Sequence, residues 1–256
     1  MRHSLLVLAI LTGCQAVVVP DGGQVTPQRP TVSTNTDTTT HGYLEIEAGG
    51  YIDPGDFVDT PSTLKLGTSP TSEVFIGFAP YQVADVRGSN DAGIGDFRIG
   101  FRQRLQEETE ELPSTAFQLV TKIPESDEDD GRSTGRTDFF ARGIATKHFE
   151  HAKVTGNYEL GLLGTEKNGN VDIQHLFAIV ADFPIDGELA AFNELACIWI
   201  PEQDEEQLSY LGGLRFLMSP STVFDGAISL GLTDDAPGFV LLFGVTHSIG
   251  RVVRKP

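Results

Sequence analysis

The chain has 256 residues and a formal net charge of −18, with 18 lysines and arginines against 36 aspartates and glutamates. So acidic a chain argues against nucleic acid as a partner, because binding phosphate groups requires a basic surface. No apolar run approaches the roughly 18 residues of a membrane-spanning helix, which excludes a helical integral membrane protein. The length allows one large domain or two small ones.

The first residues, MRHSLLVLAILTGC, have the order of an export signal, with a short basic start and an apolar stretch over 5–11. The ending Leu-Thr-Gly-Cys resembles the lipobox of bacterial lipoproteins, in which the cysteine becomes the lipidated first residue of the mature chain. We therefore predict a signal peptide over 1–13 and lipidation of Cys14, with an ordinary signal cleaved elsewhere as the alternative. Gln15, in place of Asp, favours sorting to the outer membrane.

Residues 15–42 are rich in Thr, Pro, Gly and Asn and show no apolar periodicity. This composition predicts a disordered, flexible tether over 14–42. Cys14 and Cys197 are the only cysteines, so the sequence offers no cysteine-based metal site. Cys197 lies in an apolar stretch, where we expect it to act as a small hydrophobic residue.

From Tyr43 onward, extended stretches recur and are separated by Pro, Gly, Asp or Asn. The predicted strands are 43–52, 62–67, 72–81, 96–105, 115–123, 137–149, 153–163, 171–183, 188–200, 207–217, 222–232 and 239–251. A short helical turn at 104–112 is interrupted by Pro113, and nothing else in the sequence indicates a helix. The chain is therefore predicted to be all-β.

Strand length and loop length both favour a membrane barrel over a soluble β-sandwich. Most predicted strands reach the roughly 9–11 residues that a tilted membrane strand needs, whereas soluble strands usually have about 5–6. Short connections alternate with longer or more charged ones, as in outer-membrane barrels with short periplasmic turns and long outer loops. We predict a single antiparallel up-and-down transmembrane β-barrel of about 12 strands over 43–251, followed by a tail at 252–256.

Aromatic residues on the apolar faces of the strands fall at two levels, as the two interfaces of a bilayer select. The outer level is Phe97, Phe139, Trp199 and Phe239, and the periplasmic level is Phe117, Phe149, Phe183 and Phe216. Four polar residues interrupt the lipid-facing register, namely Gln103, Lys147, His175 and Asn193.

The stretch GIGDFRIGFRQRL at 93–105 alternates apolar residues with glycine and arginine. Period-two alternation puts Phe97, Ile99 and Phe101 on one face and three arginines on the other. An arginine facing lipid at the midplane costs about 2–4 kcal/mol, so the arginines are predicted to face the lumen. The predicted lumen-lining residues are Glu45, Glu47, Arg98, Arg102, Arg104, Lys122, Asp138, Arg142, Glu194 and Arg215. We expect a constricted passage of mixed charge, with the arginines at its narrowest part.

Four short motifs resemble those of an outer-membrane barrel family labelled "MetA-pathway of phenol degradation". They are GIGD at 93–96, KIP at 122–124, GRTD at 135–138 and GLTDDAP at 231–237. The resemblance covers nearly all of 43–251. It implies a barrel that passes small, often hydrophobic or aromatic, molecules across the outer membrane.

The combined features predict an outer-membrane channel or transporter, with membrane lipid and a small-molecule solute as partners and with the oligomeric state left open. The alternative is a lipid-anchored lipoprotein whose soluble β-domain is a binding or structural module. The histidines are isolated and no Ser–His pair stands out, so no enzyme, cofactor or metal site is predicted. The acidic stretch ESDEDDG at 125–131 lacks the ligand spacing of an EF-hand and is interpreted as a solvated loop.

Overall fold

The computed structural model of the chain describes residues 24–54, 56–86, 89–126, 131–164 and 171–253. The predicted signal peptide and Cys14 lie outside the described residues. The strands are β1 (Tyr43–Asp53), β2 (Phe57–Asp59), β3 (Ser62–Ser69), β4 (Ser72–Phe78), β5 (Gln82–Val86), β6 (Ser89–Gly93), β7 (Phe97–Gln106), β8 (Ser114–Ile123), β9 (Asp138–His148), β10 (Lys153–Gly164), β11 (Val171–Pro184), β12 (Leu189–Ile200), β13 (Glu205–Ser219), β14 (Thr222–Gly231) and β15 (Phe239–Arg251). One 3-10 turn, Pro201–Gln203, follows β12.

Twelve of these strands form a closed antiparallel barrel. Each barrel strand pairs with the barrel strands that precede and follow it in the sequence. The barrel closes at β1, which pairs with both β3 and β15. The closing register runs from Tyr43 opposite Arg251 to Ile52 opposite Leu241. The predicted all-β barrel of 12 strands is therefore confirmed. The three remaining strands, β2, β5 and β6, form a small extension beyond the end of β1 and fall where the sequence predicted loops.

The two ends of the barrel differ in the length of their connections. The turn end carries short hairpins at 69–72, 148–153, 184–189 and 219–222, together with the start of β1 and the end of β15. The opposite loop end carries the β2–β5–β6 extension and most of the longer connections. The exceptions are 107–113, a longer connection at the turn end, and 201–204, a short one at the loop end. Within the described residues, no helix is long and apolar enough to cross a membrane.

The barrel has an apolar exterior and a polar interior, the reverse of a water-soluble domain. Along β4, Val74 and Ile76 are exposed, whereas Glu73, between Ser72 and Val74, is completely buried inside. Ile179 and Phe177 on β11 are likewise about half exposed, at 53% and 50%. A continuous apolar exterior requires a lipid environment, because soluble proteins rarely expose apolar patches of that size. The alternative of a soluble β-domain is inconsistent with this surface.

Large aromatic side chains are exposed near both ends of the barrel. Those at the loop end include Phe139, Trp199 and Phe239, and those at the turn end include Phe149, Phe183 and Phe216. Their positions match the two interfaces of a bilayer, where aromatic side chains are favoured.

The polar residues of the lipid-facing register have partners supplied by neighbouring strands or loops. The His175 Nδ1 lies 3.0 Å from the Tyr158 hydroxyl, and the His175 ring stacks on Trp199 at 5.3 Å. The Asn193 side-chain oxygen accepts a hydrogen bond from the Tyr210 hydroxyl. Gln103 and Lys147 bond to groups in the turn-end connections. A polar group in an apolar environment is costly only when it lacks a hydrogen bond, so these residues are compatible with the outer face.

Candidate functional site

The turn-end half of the lumen is occupied by residues 24–41, which we call the lumen segment. It enters beside the β13–β14 hairpin, where the Val25 N–H donates to the Pro220 carbonyl at 3.1 Å. It then follows the inner wall past β1, β15, β12, β10, β9 and β4, and ends at an isolated bridge between His41 and Gly67 on β3. The prediction of a flexible tether over 14–42 is wrong for this part of the chain.

Four inward carboxylates bind backbone N–H groups of the lumen segment. Their bonds are Thr26 to Glu45 at 3.3 Å, Gln28 to Glu47 at 2.8 Å, Val32 and Ser33 to Glu194 at 2.9 and 2.6 Å, and Thr39 to Glu73 at 2.6 Å. The segment has no regular secondary structure, and buried N–H groups without a partner would be costly. The barrel wall thus supplies the acceptors that the segment itself lacks.

Inward cations bind the carbonyl groups of the same segment. Their bonds are Lys65 to Thr26 at 2.6 Å, Arg215 to Arg29 at 3.0 Å, Arg142 to Val32 at 2.8 Å and Arg102 to Asp37 at 3.1 Å. Side chains add further bonds, including Thr34 with Asn157 and Thr36 with Ser114. Both the acidic and the basic side chains of the barrel wall therefore form hydrogen bonds with the backbone of the lumen segment.

The wall charges also pair with one another, which reduces the cost of burying them. Lys65 lies between two carboxylates, 3.0 Å from Glu45 and 2.8 Å from Glu47. Further inward pairs include Arg102–Glu73 at 3.3 Å, Arg142–Glu159 at 2.8 Å, Lys122–Asp138 at 2.6 Å and Arg215–Asp182. From the segment, Arg29 contributes a pair with Asp225 at 3.6 Å.

The ten residues predicted to line the lumen occupy different environments. Seven are buried inside the barrel and bind the segment or one another, namely Glu45, Glu47, Arg102, Lys122, Asp138, Arg142 and Glu194. Arg215 is partly buried, with its guanidinium 4.3 Å above the Phe192 ring.

The three arginines of β7 are separated by their depth in the barrel. Arg98 faces a cavity at the loop end, and Arg102 lies against the lumen segment. Arg104 lies at the turn-end rim, where it pairs with Glu107 at 3.1 Å and donates to the Pro70 carbonyl. They do not form one constriction as expected, because the lumen segment occupies the interior at the level of Arg102.

Several residues of the site were not predicted from the sequence. Glu73 stands opposite Arg102 in the β4–β7 register, a relationship that depends on knowing which strands pair. Arg29 is the single arginine or lysine in 15–42, and that isolation is the one local signal of a specific role. Asp225, its partner on β14, carries no signal of its own.

The loop-end half of the lumen contains a cavity of about 500 Å³. Its floor is formed by the lumen segment around Pro30 and Val32. A smaller cavity of about 220 Å³ adjoins the same two residues on the side of β12–β15. Leu211 and Leu242 line this smaller cavity and belong to an apolar cluster with Val180, Phe192 and Ala227. The larger cavity is itself lined by charged side chains, such as Arg98 and Glu47, and by apolar ones, such as Phe140 and Leu176.

The histidines of the described barrel lie away from the lumen. His148 contacts Glu108 at the turn end, while His175 and His247 bond to Tyr158 and Thr222 on the exposed face. Across the described residues, no group of three or more His, Cys, Asp or Glu side chains is arranged to hold a metal ion.

The barrel is similar in fold to solved outer-membrane proteins. The KdgM porin, solved in complex with disordered oligogalacturonate, matches with a TM-score of 0.58 and 9% identity, over 80% of this chain and 99% of the porin. The NanC porin matches with a TM-score of 0.55 and 8% identity, over 80% and 98%. LpxR from Salmonella typhimurium matches with a TM-score of 0.51 and 11% identity, over 80% and 99%. At these identities the similarity shows the fold alone.

Comparison of sequences adds no closer relative. No protein-family model matches the chain, and no curated protein matches it. The resemblance to the family labelled "MetA-pathway of phenol degradation" is therefore not confirmed.

Proposed function

We propose that the protein is an outer-membrane channel for small molecules and that the lumen segment is its gate. The observation that carries the proposal is a lipid-exposed barrel whose interior holds a cavity of about 500 Å³ at one end and an inserted segment at the other. A barrel needed only as a scaffold would have no use for a cavity lined by both charged and apolar groups. Porins among the proteins of similar fold support the same function.

The short turns give the proposed orientation. Outer-membrane barrels have short periplasmic turns and longer outer loops. The turn end and the lumen segment would then face the periplasm, and the cavity would face the cell exterior. A solute would enter the cavity first and pass only when the segment moves.

The type of contact between segment and wall is suited to a gate. The segment is held by hydrogen bonds and ion pairs to side chains on many strands, and not by strand pairing along its length. Water can replace such partners one by one when the segment leaves, which lowers the cost of opening. The apolar side chains that line the cavity support solutes with apolar parts, including the aromatic molecules implied by the sequence resemblance.

A reversible disulfide tests the gate. The Ser114 hydroxyl lies 2.8 Å from the Thr36 hydroxyl, so Thr36→Cys with Ser114→Cys puts two thiols side by side for oxidation to a disulfide. In a Cys14→Ser, Cys197→Ser background, we expect the oxidised double variant to show little conductance in a planar bilayer. Reduction should restore the conductance of the parent.

The two single-cysteine variants are the matched controls and should not respond to oxidation. If the disulfide forms and conductance is unchanged, residues 24–41 are not the gate. If the parent barrel never conducts ions or admits solutes into liposomes, the channel function itself is wrong.

A further inference from the structure

We infer that the loop-end cavity binds a small amphipathic anion, of the class of a monocarboxylate with an aromatic or aliphatic body, through Arg98. This inference names the solute class and so rests on the proposed function. The site lies on the β7 wall of that cavity, at the entrance that a solute from the loop end would meet.

The charges that line the cavity leave one cation in excess. Its cations are Arg29, Arg98 and Arg142, and its anions are Glu47 and Glu159. Arg29 pairs with Asp225 and Arg142 with Glu159, while Glu47 shares Lys65 with Glu45. For Arg98, no acidic group lies within ion-pair distance among the described residues. Burial raises the pKa of Asp59 on β2, and the charge of Arg98 acts to lower that pKa without an ion pair between the two side chains. Arg98 is therefore the cation of the cavity lining that is open to a ligand carboxylate, and one carboxylate matches its single charge.

Arg98 is accessible from the cavity. It stands on the inward face of β7, one residue from the loop end of the strand, and its side chain is exposed. The opposite residue on β4 is Gly77, which has no side chain to cover the guanidinium. The opposite residue on β8, Lys122, is itself a cation, and the carboxylates beside it, Asp138 and Asp96, pair with it. A guanidinium can bind both oxygens of a carboxylate in this setting.

The wall beside Arg98 suits an apolar body. The Phe75 ring lies over Gly100, two residues along the inward face from Arg98, and fills the space where a side chain would stand. Phe140, Leu176 and Ile198 line the same cavity from β9, β11 and β12. A volume of about 500 Å³ is within the ~300–1,000 Å³ of small-molecule pockets.

Because the chain as a whole is acidic, Arg98 is the group that would make the cavity prefer an anion over a neutral molecule. At a net charge of −18 the protein repels anions in general, so a cation in the entrance is needed to bring one in. A neutral molecule of the same shape would gain the apolar contacts alone. Discrimination between an acid and its amide is thus the property that distinguishes this site from a merely apolar pocket.

Binding of sodium benzoate to the purified barrel in detergent tests the inference by calorimetry, with benzamide as the neutral comparison. We expect benzoate to bind at least about tenfold more tightly than benzamide, since hydrogen bonds to a charged group are stronger than neutral ones. Arg98→Gln should remove this preference and leave benzamide binding unchanged. Arg98→Lys should retain part of it.

Arg104→Gln is the matched control, because Arg104 is on the same face of β7 but lies at the turn end and pairs with Glu107. It should bind benzoate as the wild type does. Equal binding of benzoate and benzamide, or an Arg98→Gln variant that folds and still prefers benzoate, would overturn the inference. Conductance in potassium chloride is measured separately: a barrel that conducts but lacks the preference refutes the site and leaves the channel function in place.

Discussion

Glu194 on β12 and Ser33 in the lumen segment are 161 positions apart in the chain, yet the Glu194 Oε1 lies 2.6 Å from the Ser33 backbone nitrogen. The other carboxylate oxygen accepts the Val32 N–H at 2.9 Å, and the Ser33 hydroxyl adds a third bond. Glu194 is 2% exposed and, among the described residues, forms no ion pair with a cation. Its charge is therefore stabilised by the segment itself.

Glu194→Gln should loosen the segment and increase conductance. A neutral amide keeps one acceptor but loses the charge that strengthens all three bonds, worth about 2 kcal/mol in total. That energy corresponds to a roughly 30-fold higher population of the displaced segment. Single-channel recording in a planar bilayer gives the open fraction directly.

Glu188→Gln is the control for this change, since Glu188 is an exposed residue of the turn before β12. It removes the same charge at the same end of the barrel without touching the segment. If both variants conduct alike, Glu194 does not hold the segment in place.

The twelve barrel strands could be predicted from the sequence because each one carries its own signal, whereas the short β2, β5 and β6 were predicted as loops. Alternation along β7 separates Ile99, which is exposed to lipid, from Arg102, which is buried in the lumen, and no distant residue is needed to infer this. The position of Arg98, Arg102 and Arg104 in three environments could not be predicted, because depth along a strand is not encoded in a period of two.

The lumen segment could not be predicted for a different reason. Its Thr, Asn and Pro residues have the composition of a tether, and nothing in the segment alone indicates burial. Many of the partners that bury it are distant in the chain, as Thr146 is from Thr36 by 110 positions. The wall charges did indicate that partners were needed, but they did not indicate that one stretch of backbone would supply them.

Lys65→Met should strongly destabilise the barrel. Lys65 is 2% exposed and lies within 3.0 Å of Glu45 and 2.8 Å of Glu47, so its removal leaves two buried carboxylates without their cation. Breaking a buried pair by deleting one partner costs about 3–5 kcal/mol. Urea unfolding in detergent micelles, followed by loss of the compact band on a gel, measures the change.

Lys153→Met gives the comparison for that experiment. The Lys153 Nζ is 3.7 Å from Asp182 and its side chain is about a quarter exposed. A pair of this kind contributes about 0–1 kcal/mol, so the variant should unfold close to the wild-type midpoint. Equal destabilisation by the two substitutions would contradict the role given to the Lys65 cluster.

The connection between β7 and β8 should loosen in acid. The Glu108 Oε2 lies 2.6 Å from the His148 Nδ1, and its Oε1 accepts the His148 backbone N–H at 3.0 Å. Partial burial acts to raise the pKa of Glu108, but the hydrogen bonds and charge of His148, with Lys147, hold it below its usual value of 4.5. A carboxyl with a lowered pKa in the folded state stabilises above its unfolded pKa, and this contribution is lost as the pH falls through the folded value.

Hydrogen exchange over residues 107–113, corrected for the intrinsic rate, should therefore accelerate below about pH 4.5 in the wild type. Glu108→Gln should exchange faster already at pH 7 and change little with acidification. Glu150→Gln, an exposed residue in the next turn, should behave as the wild type. A wild-type connection that exchanges equally at both pH values would show that the contact does not order it.

The turn end is predicted to face the periplasm. In a Cys14→Ser, Cys197→Ser background, Asp234→Cys places a thiol in the exposed loop before β15, and Gly187→Cys places one in the exposed turn before β12. A membrane-impermeant maleimide should label position 234 in intact cells and position 187 only after permeabilisation. The opposite result would invert the barrel and place the lumen segment at the cell exterior.

Lipidation of Cys14 would hold the entrance of the lumen segment against the periplasmic leaflet of the outer membrane. Cys14 is ten residues before Gln24, a distance that an extended chain spans in at most about 33–36 Å. Val25 is held at the turn end by Pro220, so an acyl group on Cys14 would insert into the periplasmic leaflet beside the barrel. Cys14→Ser should abolish labelling by radioactive palmitate and leave the precursor uncut at this site. Cys197→Ser, which changes the only other cysteine, should keep both, and labelling that survives Cys14→Ser would show that the anchor does not exist.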